Sequence, residues 1–503
     1  MKNFLFLVFL AALICSGANL PEKLPSAADS ERLLKLGQDH QFGSNGHPRD
    51  FAKAAAYYRQ AYEQGNATAA WHLAMLYYSG SGVEKNLAKA FELTSFASKN
   101  GCAWAAVSLA GMYINGIGCT KDPAAGFACY LKAAQAGIPG GYGGAGWCLI
   151  FGIGTEIDIP RGVEYYRKAA DKFDPIAMYT LAGWYYYGQF VQQDKKKADL
   201  FYRLLRRQWS SIYYANNAGI LFQLGIMCRF GQGGDVDLPR TRELWLAACQ
   251  QGDTRAVLPL TSMLFNGQGG EKDPGKAIGL LEHAAPKSAS AKFILAKHYS
   301  TGIHLEKDPA KAAILTAEAL KAVDMDSVSD LGAAGLAYLD GIGVKRDPVL
   351  AQKYFRKLVE KIKSPAEHGV MYQQMLLGYC YYFGRGVEKN LSEAKKLWCS
   401  AINLIRHQAE CEESSTMVIY AIMQQHGWGV ARSAENSRQL LLRAFALNDS
   451  EAAFMLYEFY RDGIGGEKSP AEAQKYLEYA AARLNHDAVT ELKKQQKNTH
   501  SAE

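Results

Sequence analysis

A glycine that recurs at a nearly constant interval constrains the fold of this chain more than any other feature. Leu73–Val83 reads LAMLYYSGSGV and Leu109–Gly118 reads LAGMYINGIG, so Gly80 and Gly116 stand 36 residues apart. A weaker first copy ends at Gly43, and later copies follow at intervals of 35 to 43 residues. The later turn glycines are Gly152, Gly188, Gly231, Gly267, Gly302, Gly341, Gly384, Gly427 and Gly463. A period of this length is typical of stacked repeats, which grow by adding units rather than separate cores.

Each repeat predicts a first helix that ends at the turn glycine. Residues ten, seven, six and three positions before the glycine form one helix face, as Ala70, Leu73, Ala74 and Tyr77 do in the second repeat. The residue six positions before the glycine is small in every repeat except the last, which carries Tyr457. A small side chain at this position allows two helix backbones to approach closely.

A Lys-Asp-Pro or Arg-Asp-Pro triplet marks the start of a second helix in four repeats, with Asp122-Pro123 and Asp347-Pro348 as examples. The aspartate can cap the helix, and proline fits the first turn because the N–H it lacks would have no partner there. The preceding glycine tolerates the left-handed conformation that is common at helix C-termini. Each unit is therefore expected to be a helix, a short glycine turn and a second helix.

The combined pattern resembles that of the Sel-one-like repeat family, a relative of the tetratricopeptide repeat. It runs Ala-x-x-Leu-Ala/Gly-x-x-Tyr-x-x-Gly-x-Gly-Val, then Lys-Asp-Pro-x-Lys-Ala and Tyr-x-x-Ala-Ala-x-x-Gly, and it recurs over nearly the whole chain. The resemblance implies an all-α fold, a right-handed α/α superhelical solenoid of about twelve helix-turn-helix repeats whose first helices line a concave face. It also implies a role as an adaptor in protein complexes.

The predicted organisation has four parts: a signal peptide (1–18), a linker (19–28), the solenoid (29–486), and a capping helix with a frayed tail (487–503). The predicted repeats are 29–66, 67–102, 103–139, 140–175, 176–217, 218–253, 254–289, 290–326, 327–370, 371–414, 415–449 and 450–486. An insert near residues 361–365 is expected to lengthen a helix or linker between the ninth and tenth repeats.

The N-terminus has the layout of a secretory signal peptide. An apolar run from Phe4 to Ile14 follows Lys2, and small residues precede a cleavage site after Ala18. We therefore expect an exported protein, periplasmic or secreted if the host is bacterial. No later stretch is apolar for long enough to predict a transmembrane segment. The net charge of +7 is spread thinly, so nucleic acid is not an expected partner.

Nine cysteines follow Ala18, an odd number that cannot all pair within one chain. Cys129 and Cys148 lie on helices predicted to be neighbours, which makes them candidates for a disulfide bond; buried free thiols are the alternative. Cysteine-rich secreted members of the family pair their cysteines at a fixed spacing. This chain lacks that spacing, since Val257 stands where the partner of Cys249 would be.

The sequence contains fragments of catalytic motifs without their structural context. Gly270–Ala277 is one residue from a phosphate-binding P-loop, and Gly141–Gly146 spells a dinucleotide fingerprint, but neither follows a predicted strand. Ser392–Lys395 matches the Ser-x-x-Lys of penicillin-recognising enzymes without its companion motifs. The eleven histidines show no His-x-x-x-His spacing. We therefore expect no enzymatic activity, no cofactor and no metal site.

Positions nine, five and two before the turn glycine form a second face of the first helices, which we call the first-helix stripe. Its candidate partner-binding residues are Trp71, Met75, Tyr78, Trp147, Tyr186, Tyr379 and Tyr382. Tyrosine and tryptophan contribute much of the binding energy at protein interfaces. The alternative is that these rings only pack against neighbouring repeats.

These observations favour an exported scaffold that binds a partner protein or an extended peptide in the concave groove. A second hypothesis, by analogy with the cysteine-rich family members, is weak binding or hydrolysis of β-lactams or cell-wall fragments. A third is a purely structural spacer or assembly subunit. The partner and the oligomeric state do not follow from the sequence.

Overall fold

The computed structural model describes residues 27–210 and 217–500, which form 26 α-helices and contain no β-strand. This confirms the predicted all-α fold of about twelve tandem helix pairs. The predicted signal peptide lies outside the described residues, as does most of the linker. Contacts along the chain divide it into two compact units, Met1–Ala177 and Met178–Glu503.

The first unit contains four helix pairs. Its helices are α1 Ala27–Phe42, α2 Phe51–Glu63, α3 Ala67–Ser79, α4 Leu87–Lys99, α5 Ala103–Asn115, α6 Pro123–Gln135, α7 Pro139–Phe151 and α8 Ile159–Asp171. The next helix, α9 Pro175–Tyr187, contains the boundary between the units. Odd-numbered helices here are the first helices of repeats, and even-numbered ones are the second helices.

The second unit continues with the remaining repeats. Its helices are α10 Lys195–Trp209, α11 Ala218–Arg229, α12 Leu238–Gln250, α13 Val257–Asn266, α14 Pro274–Ala284, α15 Ala289–Thr301, α16 Pro309–Lys321, α17 Val328–Asp340, α18 Pro348–Glu367, α19 Met371–Phe383, α20 Leu391–Ser400, α21 Ile402–Glu410, α22 Ser414–His426, α23 Ala434–Ala446, α24 Ser450–Asp462, α25 Pro470–Ala482 and α26 His486–His500.

The two glycines of each Gly-x-Gly turn have different roles. Gly80 ends α3 in the left-handed conformation, with φ at 75°, as the sequence predicts. Gly82 also has a positive φ, but its main constraint is packing, because a Cβ atom there would overlap the backbone of Phe51, the first residue of α2. Gly118 stands in the same relation to Leu87, the first residue of α4. The second glycine therefore sets how closely consecutive repeats approach.

The predicted caps of the second helices are present. Asp122 accepts a hydrogen bond from the backbone N–H of Ala125 at 3.0 Å, and Pro123 occupies the first turn of α6. Asp347 caps α18 in the same way through the N–H of Leu350 at 2.9 Å. These local bonds fix where each second helix begins.

The small residue six positions before the turn glycine serves two kinds of packing. In α7, a Cβ at Gly146 would lie 3.0 Å from the carbonyl oxygen of Gly162 in α8, the close backbone approach predicted from its size, and 2.8 Å from the ring of Tyr166. In α19, Gly378 instead leaves room for an aromatic ring, since a Cβ there would lie 2.5 Å from Cδ1 of Trp398. The indole of Trp398 donates a hydrogen bond to the carbonyl of Met375 at 3.0 Å. Where the first helix carries glycine, the second helix can therefore insert a large side chain.

The irregular repeats remain helical. The insert near residues 361–365 extends α18 to 20 residues, with Pro365 inside the helix. The second helix of the tenth repeat is divided at Ala401 into α20 and α21. After the last pair, α26 packs on α25 through buried residues such as Ala488.

Candidate partner-binding surface

In the first unit, the first-helix stripe is partly packed and partly open. The indole Nε1 of Trp71 donates a hydrogen bond to Oγ of Ser108 on α5 at 3.0 Å, so this ring links two consecutive first helices. Met75 and Trp147 are half-buried. Tyr78 is 43% exposed, which leaves its ring available to a partner.

In the first unit, two further exposed residues extend this stripe by one more helical step, as Tyr372 on α19, which is 54% exposed, does in the second unit. Trp104 on α5 and Ile176 on α9 lie twelve positions before their turn glycines, three before the first stripe position, and are 53% and 70% exposed. A step of three residues keeps a side chain on the same helix face. Both residues lie outside the predicted set, whose first position is nine before the glycine; continuing the i, i+3 pattern toward the helix N-terminus would have found them.

In the second unit, Tyr186 lies against a later repeat of its own unit. Its ring centroid is 4.9 Å from that of His407 on α21, and Lys195 lies 5.4 Å from the ring. Burial raises the pKa of the Tyr186 hydroxyl above its ordinary value. This ring therefore has an intramolecular partner.

Tyr379 and Tyr382 on α19 are also half-buried by their own unit. The hydroxyl of Tyr379 accepts a hydrogen bond from the guanidinium of Arg385, which in turn pairs with Glu451 on α24 at 3.4 Å. Burial raises the pKa of Glu451 to about 7. Tyr382 lines a cavity of about 300 Å³ with Glu451 and Asp487, and burial raises the pKa of its hydroxyl to about 12.

The second unit closes on itself through hydrogen bonds between early and late repeats. Such bonds join Tyr187 Oη to His407 Nδ1 (2.9 Å), Asn403 Nδ2 to Tyr187 O (3.0 Å), Gln268 Nε2 to Glu412 O (3.1 Å), and Asn448 Nδ2 to Asn266 Oδ1 (2.7 Å). The buried guanidinium of Arg229 pairs with Glu413 at 3.3 Å. Part of the face predicted to bind a partner is thus in contact with the protein's own later repeats.

The nine cysteines of the described residues are all free thiols. Cys148 is buried, which raises its thiol pKa to about 12, and Cys129 is half-buried with a raised thiol pKa. The disulfide between Cys129 and Cys148 stays a prediction.

Within residues 27–210 and 217–500, no group of three or more His, Cys, Asp or Glu side chains is placed to hold a metal ion. None of the helices in this part of the chain is both long and apolar enough to span a membrane.

The repeat pattern, the glycine turns and the tandem helix pairs together define a family. The Sel1 repeat model matches this chain twelve times, at residues 33–66, 67–102, 105–138, 142–172, 175–203, 221–253, 262–285, 289–322, 330–361, 374–404, 414–449 and 450–483. The chain belongs to the Sel1 repeat family. Proteins built from Sel1 repeats are generally protein–protein interaction scaffolds, and the fold is typically non-catalytic.

Individual relatives are distant. A protein of unassigned function from Neisseria meningitidis serogroup B, NMB1327, is 30% identical over 188 residues, which is 37% of this chain and 37% of that protein. A Sel1 repeat protein from Oxalobacter formigenes is 24% identical, covering 52% of this chain and 97% of that one, with a TM-score of 0.38. The protective antigen c5321 of uropathogenic Escherichia coli is 23% identical over 92% of each chain, with a TM-score of 0.33.

Proposed function

We propose that this protein is an exported interaction scaffold that binds a partner protein through the first-helix stripe of its first unit. The observation that carries the proposal is the exposure of Tyr78, Trp104 and Ile176 on three first helices of that unit. Large exposed apolar side chains on a repeat surface favour an interface, because covering them with a partner removes apolar area from water.

The second unit supports this assignment by contrast. Its stripe residue Tyr186 contacts His407 of a later repeat, and Tyr379 is hydrogen-bonded to Arg385, which pairs with Glu451 of a later repeat. A partner would have to displace these intramolecular contacts to reach the two rings. Displacement costs binding energy, whereas Tyr78 and Trp104 are accessible without any rearrangement. Export is supported by the apolar run between Phe4 and Ile14 and the small residues up to Ala18.

The test is capture of the partner from the native host by cross-linking, followed by affinity measurements with purified proteins. We expect Trp104→Ala and Tyr78→Ala each to weaken binding by about tenfold, the usual effect of removing an interface aromatic anchor. Ile314→Ala is the matched control, since Ile314 is 61% exposed but lies on a second helix, α16. Unchanged affinity in both aromatic variants would exclude this surface.

Export is tested separately by N-terminal sequencing of the protein purified from its host. A mature N-terminus at Asn19 is the expected result. Retention of Met1 on the purified protein would contradict export through a cleaved signal peptide.

A further inference from the structure

A cavity of about 250 Å³ lies inside the second unit, between early first helices and the turns of the last repeats. One wall is formed by α13 and α15, which contribute Phe265 and Lys297. The opposite wall is formed by Asn448, before α24, and by Arg483, after α25. Pockets for drug-sized ligands begin at about 300 Å³, so this slightly smaller cavity has room only for a compact ligand.

Among the described residues that line the cavity, two are cationic, Lys297 and Arg483, and none is a carboxylate. The guanidinium of Arg483 lies 3.5 Å from the centroid of the Tyr479 ring, and it donates no hydrogen bond to a described residue. Lys297 likewise forms no ion pair with a described carboxylate; the carboxylate of Asp340 is attracted to it but does not line the cavity. Two cationic residues therefore line the same cavity, and neither forms an ion pair with a described carboxylate.

Two histidines line the same cavity, and burial is the main reason why their pKa values are lowered. Nδ1 of His298 lies 2.8 Å from the carbonyl of Ile303, and burial, aided by His304 and Lys297, lowers the pKa of His298 to about 4. The pKa of His304 is also lowered, by burial and then by the charges of Arg483 and Lys272. Both rings are thus mainly neutral at pH 7, so the positive charge that an anion would meet comes from Lys297 and Arg483.

The walls are held in place by contacts that do not need a ligand. The side chain of Asn448 donates to Oδ1 of Asn266 at 2.7 Å and accepts from the hydroxyl of Tyr479 at 3.0 Å. Phe265 stacks on the ring of His304, with 4.8 Å between ring centroids. A site whose walls are fixed beforehand loses less conformational entropy when it binds a ligand.

We propose that this cavity binds a small organic anion, whose carboxylate or phosphate group contacts Lys297 and Arg483 while a compact apolar body packs on Phe265. Arginine presents a planar set of donors that matches carboxylate and phosphate oxygens, and lysine adds a second charge-assisted bond. The site uses none of the exposed aromatic residues of the first unit, so it is independent of the proposed partner-binding surface.

The test is ¹⁹F NMR titration of 4-fluorobenzoate and 4-fluorophenyl phosphate with the full mature chain. Saturable binding of at least one anion is expected. The two probes distinguish recognition of a carboxylate from recognition of a phosphate. The neutral probe 4-fluorobenzyl alcohol should bind at least about tenfold more weakly, the loss expected when a charge-assisted contact is missing. No saturable binding of either anion, or equal binding of the alcohol, would overturn the proposal. If inorganic phosphate competes for the cavity as strongly as the aromatic anions do, the proposed packing of an apolar body on Phe265 is wrong.

Variants locate the site. Arg483→Gln and Lys297→Gln should each weaken anion binding by about tenfold or more, and Ser262→Trp should block the cavity while keeping both cations, since Ser262 is an exposed lining residue. Lys475→Gln is the matched control, because Lys475 is an exposed cation on α25 away from the cavity. If Arg483→Gln fails to fold, Lys297→Gln and Ser262→Trp decide the question. Wild-type affinity in both of these would contradict the assignment.

Discussion

The hydroxyl of Tyr187 lies 2.9 Å from Nδ1 of His407, although the two residues are 220 positions apart in the sequence. The contact joins the end of α9 to α21, and burial lowers the pKa of His407 below its ordinary value. The contact is one of those that join early and late repeats of the second unit. Because of these contacts, Tyr186 belongs to the first-helix stripe but is not freely accessible to a partner.

A double-mutant cycle measures this closing contact. We expect Tyr187→Phe and His407→Leu to be coupled by about 1 kcal/mol in the free energy of unfolding, the net value of a typical buried hydrogen bond. The measurement is urea denaturation of the wild type, both single variants and the double variant. The control cycle combines Tyr187→Phe with His426→Leu, and their changes in the free energy of unfolding should be additive. If the changes in the first cycle are also additive, the contact contributes nothing to stability.

The two glycines of one turn should respond differently to alanine. Gly116 and Gly118 both have positive φ, so either substitution carries the strain of about 1–2 kcal/mol for a left-handed non-glycine residue. At Gly116 the new Cβ would lie 3.3 Å from Cβ of Lys121, but at Gly118 it would overlap the carbonyl of Leu87. We therefore expect Gly118→Ala to lower the free energy of unfolding by about 1–3 kcal/mol more than Gly116→Ala. Equal effects in thermal or urea unfolding would contradict the close approach of the repeats.

The pairing of glycine with an aromatic ring predicts a rescue. Gly378→Ala should destabilise the second unit by about 1–3 kcal/mol, because its Cβ would meet the ring of Trp398. Trp398→Leu alone should also be destabilising, since it removes a fully buried ring and its hydrogen bond to Met375. The double variant should lose less free energy of unfolding than the sum of the losses in the two single variants. A strictly additive double variant in urea denaturation would show that the two side chains do not share this space.

His72 should make the first unit sensitive to acid. Its ring is buried and stacks on Tyr58 with 4.9 Å between centroids, and burial lowers its pKa to about 4 from an unfolded value near 6.5. Between pH 6.5 and pH 4 the unfolded chain binds a proton at His72 that the folded protein does not bind. The free energy of unfolding is therefore unaffected by His72 above pH 6.5 and decreases as the pH falls toward 4. The loss amounts to about 3 kcal/mol over this window.

The variant His72→Gln should therefore show a smaller loss of stability between pH 7 and pH 4 than the wild type. The measurement is the free energy of unfolding at several pH values, with His283→Gln as the control because His283 is exposed. If the free energy of unfolding of the His72→Gln variant depends on pH as that of the wild type does, the acid sensitivity comes from other groups.

Local features of the fold could be predicted from the sequence because each depends on a few consecutive residues. Gly80 ends its helix in the left-handed conformation, and Asp122 caps the next helix, as their residue types require. The small residue six positions before the turn glycine predicts close helix packing, which Gly146 and Gly162 show. The number of repeats followed directly from the turn glycines.

Features that depend on tertiary placement could not be predicted in this way. The period identifies which repeats are neighbours, but it gives no information on a contact such as Tyr187 with His407. The packing role of Gly118 was also missed, because it depends on the backbone of the preceding repeat rather than on its own turn. For the same reason the sequence could not separate the exposed Tyr78 from Tyr379, which occupies the same stripe but contacts Arg385. The partner-binding role of all seven stripe residues stays a prediction, as does the alternative of β-lactam binding.

Site-specific photo-cross-linking in the native host tests the central claim most directly. A benzophenone amino acid would be placed at Tyr78 or Trp104 in the first unit, and at Tyr186 or Tyr379 in the second. We predict that the first two positions cross-link a separate partner protein, while the last two cross-link only within the chain, to peptides near His407 and Glu451. A partner captured from Tyr186 or Tyr379, with none from Tyr78 or Trp104, would contradict the account.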